Sequence, residues 1–333
     1  MEVSIVIPVY NVSLYVGDCL RSVMRQTYGG QMSCLVVDDC STDESMNIVE
    51  QMIAEYDGHI RFEILHHEHN LGLSAARNTG TAAATGEYIL YIDSDDEITD
   101  DCVKKMMSVA LENPAVDMVV GKFVTCDAGA QIPYPHEVKV THACTNDEVR
   151  SCFYSHKQFP VTAWNKLIKR SFIQQNKLSF IEGILYEDTP WTFYLLKYIT
   201  NAYFMSDVTY YHKIRPNSIV TGNCEATKAI HIFKGLHEIG TNLTQGYEKQ
   251  ELEFYGVRCF YIYIHHAYHL PELTDDLLLL GNKLWHYKKY ELYLTFIVCY
   301  FLGRFKWGLT AYSVMRRIKK PWLVYYDIRQ LFT

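Results

Sequence analysis

Tyr88-Ile89-Leu90-Tyr91-Ile92-Asp93-Ser94-Asp95-Asp96 is the stretch whose reading decides the fold. Its first five residues are aromatic, aliphatic and β-branched, the types that bury well on a pleated sheet. Three carboxylates and a serine follow with no apolar residue among them. Open α/β sheets bind ligands beyond the carboxyl ends of their strands, so acids placed here point into a cleft and not into a core. Grouped carboxylates suit a hard divalent cation, which takes oxygen ligands and keeps phosphates as further ligands. The plainer alternative is an acidic turn after a strand, because Asp and Ser favour turns.

Upstream, Val3-Ser4-Ile5-Val6-Ile7-Pro8-Val9-Tyr10-Asn11 predicts a central parallel strand that turns at Pro8. Leu14, Val16, Leu20, Val23 and Met24 have helical spacing, and Cys34-Leu35-Val36-Val37-Asp38-Asp39 is a second strand ending in acids. Ser41 and Glu44 have the spacing of a capping box and predict a helix start, with Asp57-Gly58 as its stop. Phe62 to Leu65 predicts a third strand, whose polar exit carries His66, His67 and His69. Asn70 to Leu73 reads as a loop, and Ser74-Ala75-Ala76-Arg77-Asn78 opens an alanine-rich helix. Strand and helix alternate, which predicts an α/β fold with a mostly parallel central sheet and helices on both faces.

Downstream, a helix is expected from Asp101 to Leu111, a strand from Asp117 to Val124 and a loop from Ala128 to Thr145. Gly183-Ile184-Leu185-Tyr186-Glu187-Asp188 puts another acid pair after an apolar run, and Tyr203 to His212 is a further strand. Helical periodicity takes over near Gly222, predicting domains over 1–222 and 223–333.

The chain has 333 residues, 49% hydrophobic and 21% charged, an ordinary globular balance. A net charge of -7 argues against general nucleic-acid binding. Ten cysteines without a C-x-x-C pair fit reduced thiols in a cytosol. A strand entered by Val3 is expected to leave no room for a signal peptide, and no apolar run reaches the ~20 residues of a spanning helix. The C-terminal third is different. Arg304, Lys306, Arg316, Arg317, Lys319 and Lys320 alternate with Phe305, Trp307, Tyr312, Trp322, Tyr325 and Tyr326. Basic residues interleaved with Trp and Tyr predict a helical region lying on a membrane interface, here the cytoplasmic face. The alternative is a helical subdomain with a solvated basic face or a homodimer surface.

Three acid groups therefore end apolar runs: Asp38-Asp39, Asp93-Asp95 and Glu187-Asp188. One acid can accept from a base or ribose, another can hold a metal that neutralises a diphosphate, and a third can act as general base. These segments resemble a family 2 glycosyltransferase of the GT-A fold. The likeness rests on the Val3–Asn11 run, Val36-Val37-Asp38-Asp39-Cys40-Ser41-Thr42-Asp43, Asn70-Leu71-Gly72-Leu73-Ser74-Ala75-Ala76-Arg77-Asn78 and Asp93-Ser94-Asp95-Asp96, in that order. It is close over residues 1 to about 100 and looser to about 220.

The resemblance implies inverting transfer of a sugar from a nucleotide donor, most often a UDP-sugar, with Mn²⁺ or Mg²⁺. Pro8, Val9, Tyr10 and Asn11 would line the uracil and ribose pocket, and Asp39 would accept from the uracil N–H. Arg77 would face the nucleotide or pair with the aspartate strand. Asp93-Ser94-Asp95 would be the DXD motif, with Asp93 towards ribose and Asp95 on the metal. Asp188 of Glu187-Asp188 would be the general base, and Glu187 would orient it or cap the next helix. Tyr211 to Thr221 is similar to the Y-x-x-R-x-x-S-x-T segment of these enzymes, so Arg215 and Ser218 would close over the diphosphate and His212 would add a metal or phosphate contact. Trp164 would be a core ring or an acceptor platform. No Q-x-x-R-W motif follows the base, which implies one sugar added per encounter. The acceptor expected is a glycan or lipid-linked oligosaccharide in surface-polysaccharide assembly, reached by an enzyme peripheral to the membrane's inner face. The rivals are a catalytically inactive scaffold subunit and a sugar-phosphate nucleotidyltransferase.

Overall fold

The computed structural model describes residues 1–215, 225–251 and 254–255. The chain divides into two compact units, Met1–Gly183 with Glu187–Ser218, and Ile184–Tyr186 with Ile219–Thr333. In the first unit, strand and helix alternate as β1 (Glu2–Val9), α1 (Val16–Met24), β2 (Gln31–Asp38), α2 (Ser45–Ala54), β3 (Arg61–His66), α3 (Leu73–Ala83) and β4 (Tyr88–Tyr91). The chain continues through β5 (Glu97–Ile98), α4 (Cys102–Glu112), β6 (Met118–Asp127), β7 (Ala130–Pro133), β8 (His142–Ala143) and α5 (Asn146–Tyr154). It ends with β9 (Lys166–Lys169), α6 (Arg170–Gln175), α7 (Asp188–Tyr198) and β10 (Ala202–Lys213). Described elements of the second unit are α8 (Glu225–Thr241) and α9 (Glu248–Glu251).

One sheet takes the order β3-β2-β1-β4-β9-β6-β10-β5, with β7 on β6 and β8 on β10. β1 pairs in parallel with β2 and β4, β2 with β3, and β6 with β10. β9 is the antiparallel insert between β4 and β6. Because both neighbours oppose β9, the strands β1, β2, β4, β6 and β10 all end on the same edge of the sheet.

The strand period of two assigns β1 to two helical layers. Val3, Ile5, Ile7 and Val9 join one core with Cys19, Leu20 and Val23 of α1 and Met106 and Met107 of α4. Val6 points the other way, to α3. A Cβ on Gly80 of that helix would lie 2.4 Å from Val6 Cγ1, so glycine permits the close approach of α3 to the sheet. Helices thus cover both faces, and the sheet is mostly parallel.

Two local expectations need correction. Ser41 and Glu44 form no capping box: α2 starts at Ser45, Glu44 makes no side-chain cap bond, and Ser41 Oγ contacts the Asn11 amide and Val9 carbonyl instead. The polar end of β1 competes for the hydroxyl the cap would use. The stretch 128–145 is not all loop. Ala128 and Gly129, with φ of 47° and 86°, make a two-residue turn that returns β7 against β6. The third acid pair follows its apolar run into a helix. Glu187 precedes α7 and Asp188 is that helix's first residue.

Candidate active site

The acid-ended strands converge on the common edge of the sheet. Asp93, Asp95 and Asp96 follow β4, and one carboxylate oxygen of each lies within 4.8 Å of the others. Asp96 is buried and committed to the scaffold. Its Oδ2 accepts from the Tyr210 hydroxyl at 2.7 Å and its Oδ1 from the Lys213 amide at 2.7 Å. Burial pushes the Asp96 carboxyl well above the usual carboxylate range, and the nearby charges of Asp95 and Asp93 push the same way. Asp93 and Asp95 remain partly open, with side chains 26% and 21% exposed. Ser94, between them, is buried.

Arg77 joins this group to the second acid pair. It is carried on α3, and its side chain is only 1% exposed. One terminal nitrogen donates to Asp93 Oδ1 at 2.7 Å. The other donates to Glu187 Oε1, and to Asp188 Oδ1 at 3.2 Å. Burial works against the guanidinium charge, but Asp93, Asp188 and Glu187 outweigh it and hold its pKa above the ordinary arginine value. A planar fork with several fixed donors is suited to bridging carboxylates in this way. The Phe180 ring lies under the guanidinium carbon at 5.3 Å.

Asp188 is held by only one of its oxygens; Oδ2 has no hydrogen-bond partner among the described residues. Burial raises its pKa to about 7, with Arg77 opposing and Glu187 and Asp93 adding to the rise. Lys166, fully buried on β9, is another cation whose field reaches Asp188, and burial lowers its own pKa to about 7. Its ammonium is held by the Thr162 carbonyl. Glu187 occupies the cap position of α7 but makes no cap bond, because its carboxylate is turned to Arg77.

Just past the end of β2, Asp39 is 3% exposed. Its Oδ1 accepts from the Leu71 amide at 2.8 Å and its Oδ2 from the Gly72 amide at 2.8 Å. His67 Nδ1 shares Oδ1 at 2.7 Å, and its Nε2 reaches Thr79 Oγ1 at 2.9 Å. Asp39 therefore pins the loop between β3 and α3, with three of about four acceptor positions filled. His66 pairs with Asp38 at 3.1 Å. Pro8 and Val9 are buried at the end of β1, whereas Tyr10 is 46% exposed just beyond it. Asn11 has φ of 51° and caps the 42–43 turn through Oδ1.

His212 lies outside the aspartate trio. It stacks on Trp164 at 5.5 Å and 16°, and Trp164 stacks in turn on Tyr210 at 4.4 Å and 8°. Burial lowers the His212 pKa, which favours a neutral imidazole able to act as a ligand. Trp164 is 5% exposed and part of the core. Arg215 pairs with Asp95 and lies over the Tyr15 ring at 5.4 Å. Ser218 and the basic, aromatic region from Arg304 lie outside the described residues.

The donor set fits a divalent cation. Asp93 and Asp95 supply partly open hard oxygens, and Asp96 braces the cluster from beneath through Tyr210 and the Lys213 amide. Sequence reasoning grouped Asp96 with the cleft acids and missed its buried bracing role, and it missed Tyr210 as a site-building residue. The hydroxyl of Tyr210 also accepts from the Asp93 amide at 3.2 Å, so one ring fixes two acids of the motif. The signal available was its strand position two residues before His212.

Known proteins resemble this arrangement at two levels. The family described as Glycosyl transferase family 2 matches residues 4–176. The uncharacterized glycosyltransferase EpsJ of Bacillus subtilis (strain 168) is 29% identical over 220 residues, covering 65% of this chain and 62% of EpsJ. The chain thus spans less than two thirds of that relative's length. Staphylococcus aureus TarS 1–349, solved in complex with UDP-GlcNAc, has a TM-score of 0.69 at 22% identity, covering 91% of this chain and 92% of TarS. The mannosyltransferase PcManGT from Pyrobaculum calidifontis, solved with GDP-Man and Mn²⁺, has a TM-score of 0.56 at 17% identity, covering 92% and 86%. At these identities the structural likeness establishes a shared fold.

Proposed function

The chain belongs to glycosyl transferase family 2 and has the GT-A fold, and from that premise we propose that it is an inverting glycosyltransferase with Asp188 as its general base. The donor is a nucleotide sugar, a UDP-sugar in this reading, and the acceptor is a hydroxyl of a glycan or lipid-linked oligosaccharide in surface-polysaccharide assembly. TarS, solved with UDP-GlcNAc, supports the donor class. The observation that carries the reading is the Arg77 bridge, which brackets Asp93 on one side and Glu187 and Asp188 on the other. It sets the acids expected to face the donor beside the acid expected to face the acceptor.

Asp188 takes the proton of the acceptor hydroxyl on its free Oδ2. The hydroxyl oxygen forms a bond to the anomeric carbon as the bond from that carbon to the diphosphate oxygen breaks on the opposite face, which inverts the centre. A pKa near 7 suits a base working at neutral pH, because the group is then substantially ionised and still accepts a proton readily. Glu187 and Arg77 fix the orientation of the base. Asp93 and Asp95 would hold Mn²⁺ or Mg²⁺, with His212 near enough for its imidazole to feel both acid charges. When bound, that ion would offset the negative charge developing on the departing diphosphate. Asp39 keeps one acceptor position for the uracil N–H, and Pro8, Val9, Tyr10 and Asn11 line that side. Arg215 and Ser218 attend the diphosphate. The catalytic domain is taken as 1–222.

The test separates donor binding from transfer. Full-length protein is heated with UDP-sugars, GDP-mannose and dTDP-rhamnose, each with Mn²⁺ and with EDTA, and assayed for transfer. A ligand at 100 times its Kd should stabilise the fold by ~2.7 kcal/mol. We expect a metal-dependent shift confined to UDP-sugars, retained in Asp188→Asn, with transfer reduced at least ~100-fold in that variant. Transfer by Asp188→Asn at the parent rate would remove the base assignment. Release of pyrophosphate from a sugar phosphate and a nucleoside triphosphate would identify a nucleotidyltransferase instead.

A further inference from the structure

Arg215 holds the acid that the reading above gives to the metal. Its guanidinium Nε is ion-paired to Asp95 Oδ2, both side chains are 21% exposed, and the Tyr15 ring supports the guanidinium carbon at 5.4 Å. The pair is anchored from below. Two residues before Arg215, the Lys213 amide is tied to Asp96, and the Lys213 ammonium is tied to Asp18 and Glu97. Arg215 thus stands at a fixed point beside the acid cluster while its side chain rests at the surface.

Charge arithmetic makes this pairing consequential. Asp95 is paired with Arg215, whereas the single charge of Arg77 is shared by Asp93, Glu187 and Asp188. A divalent cation entering at Asp95 meets the Arg215 guanidinium on the same carboxylate, and repulsion between positive charges a few ångströms apart is strong near a protein surface. A diphosphate changes the balance, because it offers oxygens to the cation and to a guanidinium at once. We propose that Arg215 is an exchange residue: in the ligand-free protein its guanidinium occupies Asp95 in place of a divalent cation, and it passes to the donor diphosphate when nucleotide and metal arrive together. This rests on the reading of Asp93 and Asp95 as metal ligands. The protein then binds the cation weakly alone and strongly with nucleotide, so donor and metal couple positively through Arg215. A cation that can bind only when Arg215 has left Asp95 has its affinity reduced by the fraction of protein in that state.

Mn²⁺ binding to the full chain, followed by the EPR signal of free Mn²⁺ with and without UDP, tests the proposal without reference to activity. Arg215→Ala and Arg215→Gln should bind Mn²⁺ alone roughly 5-fold tighter than the parent, as expected when a competing ion pair is removed. The same variants should bind Mn²⁺ less tightly than the parent once UDP is saturating. Lys213→Met removes a nearby cation that does not pair with Asp95, and should leave Mn²⁺ affinity within about twofold of the parent. Equal tightening in Lys213→Met and Arg215→Ala would mean that only the general field matters, and would overturn the exchange. So would Arg215 variants that bind Mn²⁺ no tighter than the parent. Asp95→Asn separates the two layers of the argument: it should lose Mn²⁺ binding, and if it keeps parent affinity, the metal-site reading itself fails whatever Arg215 does.

Discussion

Asp188 combines a raised pKa with a neighbouring guanidinium, and the two influences act in opposite directions. Burial dominates, so the folded protein retains the proton to about pH 7 while the unfolded chain releases it near the usual carboxylate value. The kcat/KM profile should therefore lose activity as pH falls through about 7, with the acid limb absent from Asp188→Asn. Stability carries the opposite sign. Between about pH 4 and about pH 7 the unfolded chain binds fewer protons than the folded one at this site, so Asp188 makes folding less favourable as pH rises. Thermal melts of Asp188→Asn against the parent should show a relative gain for the variant across that window, and a constant difference would show that the carboxyl is not shifted. Arg77 is the opposite case, a buried cation shared by three acids. Arg77→Met should destabilise by about 3–5 kcal/mol in urea unfolding, because Glu187 stays buried without its partner; a loss below about 1 kcal/mol would mark the bridge as peripheral. Asp93, Asp95 and Asp188 were legible as individuals because each breaks an apolar run. The resemblance implied that Arg77 could pair with the aspartate strand, as it does with Asp93, but its second arm was not legible, since Arg77 and Glu187 are 110 positions apart and nothing local in the helix announces that pairing.

Elements were legible where periodicity was strong and illegible where a competing contact decided the outcome. Strands β1, β2 and β4 follow from their apolar runs, because a buried parallel strand has little freedom in composition. The capping box failed because Ser41 and Asn11 are joined across the ends of two strands. β9 was invisible as a strand because four residues between Asn165 and Arg170 carry no period, and only the gap between β4 and β6 gives them partners. The packing of α3 on the sheet is the element-scale feature most open to test. Gly80→Ala would place its methyl 2.4 Å from Val6 Cγ1 and 3.2 Å from Val37 Cγ2. Overpacking of this kind should cost about 1–3 kcal/mol, and Val6→Ala in the same chain should return part of it. Urea midpoints of the two single variants and the double variant measure the coupling, and strict additivity would show that α3 does not rest on Val6.

The first unit is built on one sheet in which β4 lies beside a strand made much later in the chain, β9. Its fold class could be read from the first hundred residues, because βα alternation there leaves few other architectures. The expectation of a membrane-facing C-terminal region lies outside the described residues; among those described, no helix is long and apolar enough to cross a membrane. The antiparallel insert has a consequence in time. All of β4 is buried, and its outer edge is completed by β9, made roughly 75 residues later. At ~5–20 residues per second a ribosome leaves that edge without its partner for roughly 4–15 s. An unpaired apolar strand edge recruits other strands, so the emerging chain is open to mispairing over this interval. Nascent chains arrested at Arg150 should crosslink to chaperones through Tyr88–Tyr91, and chains arrested beyond Arg215 should not; equal crosslinking at both lengths would show that the edge is guarded by something other than β9. The order of synthesis, and not only the finished sheet, thus sets when this protein is most exposed to aggregation.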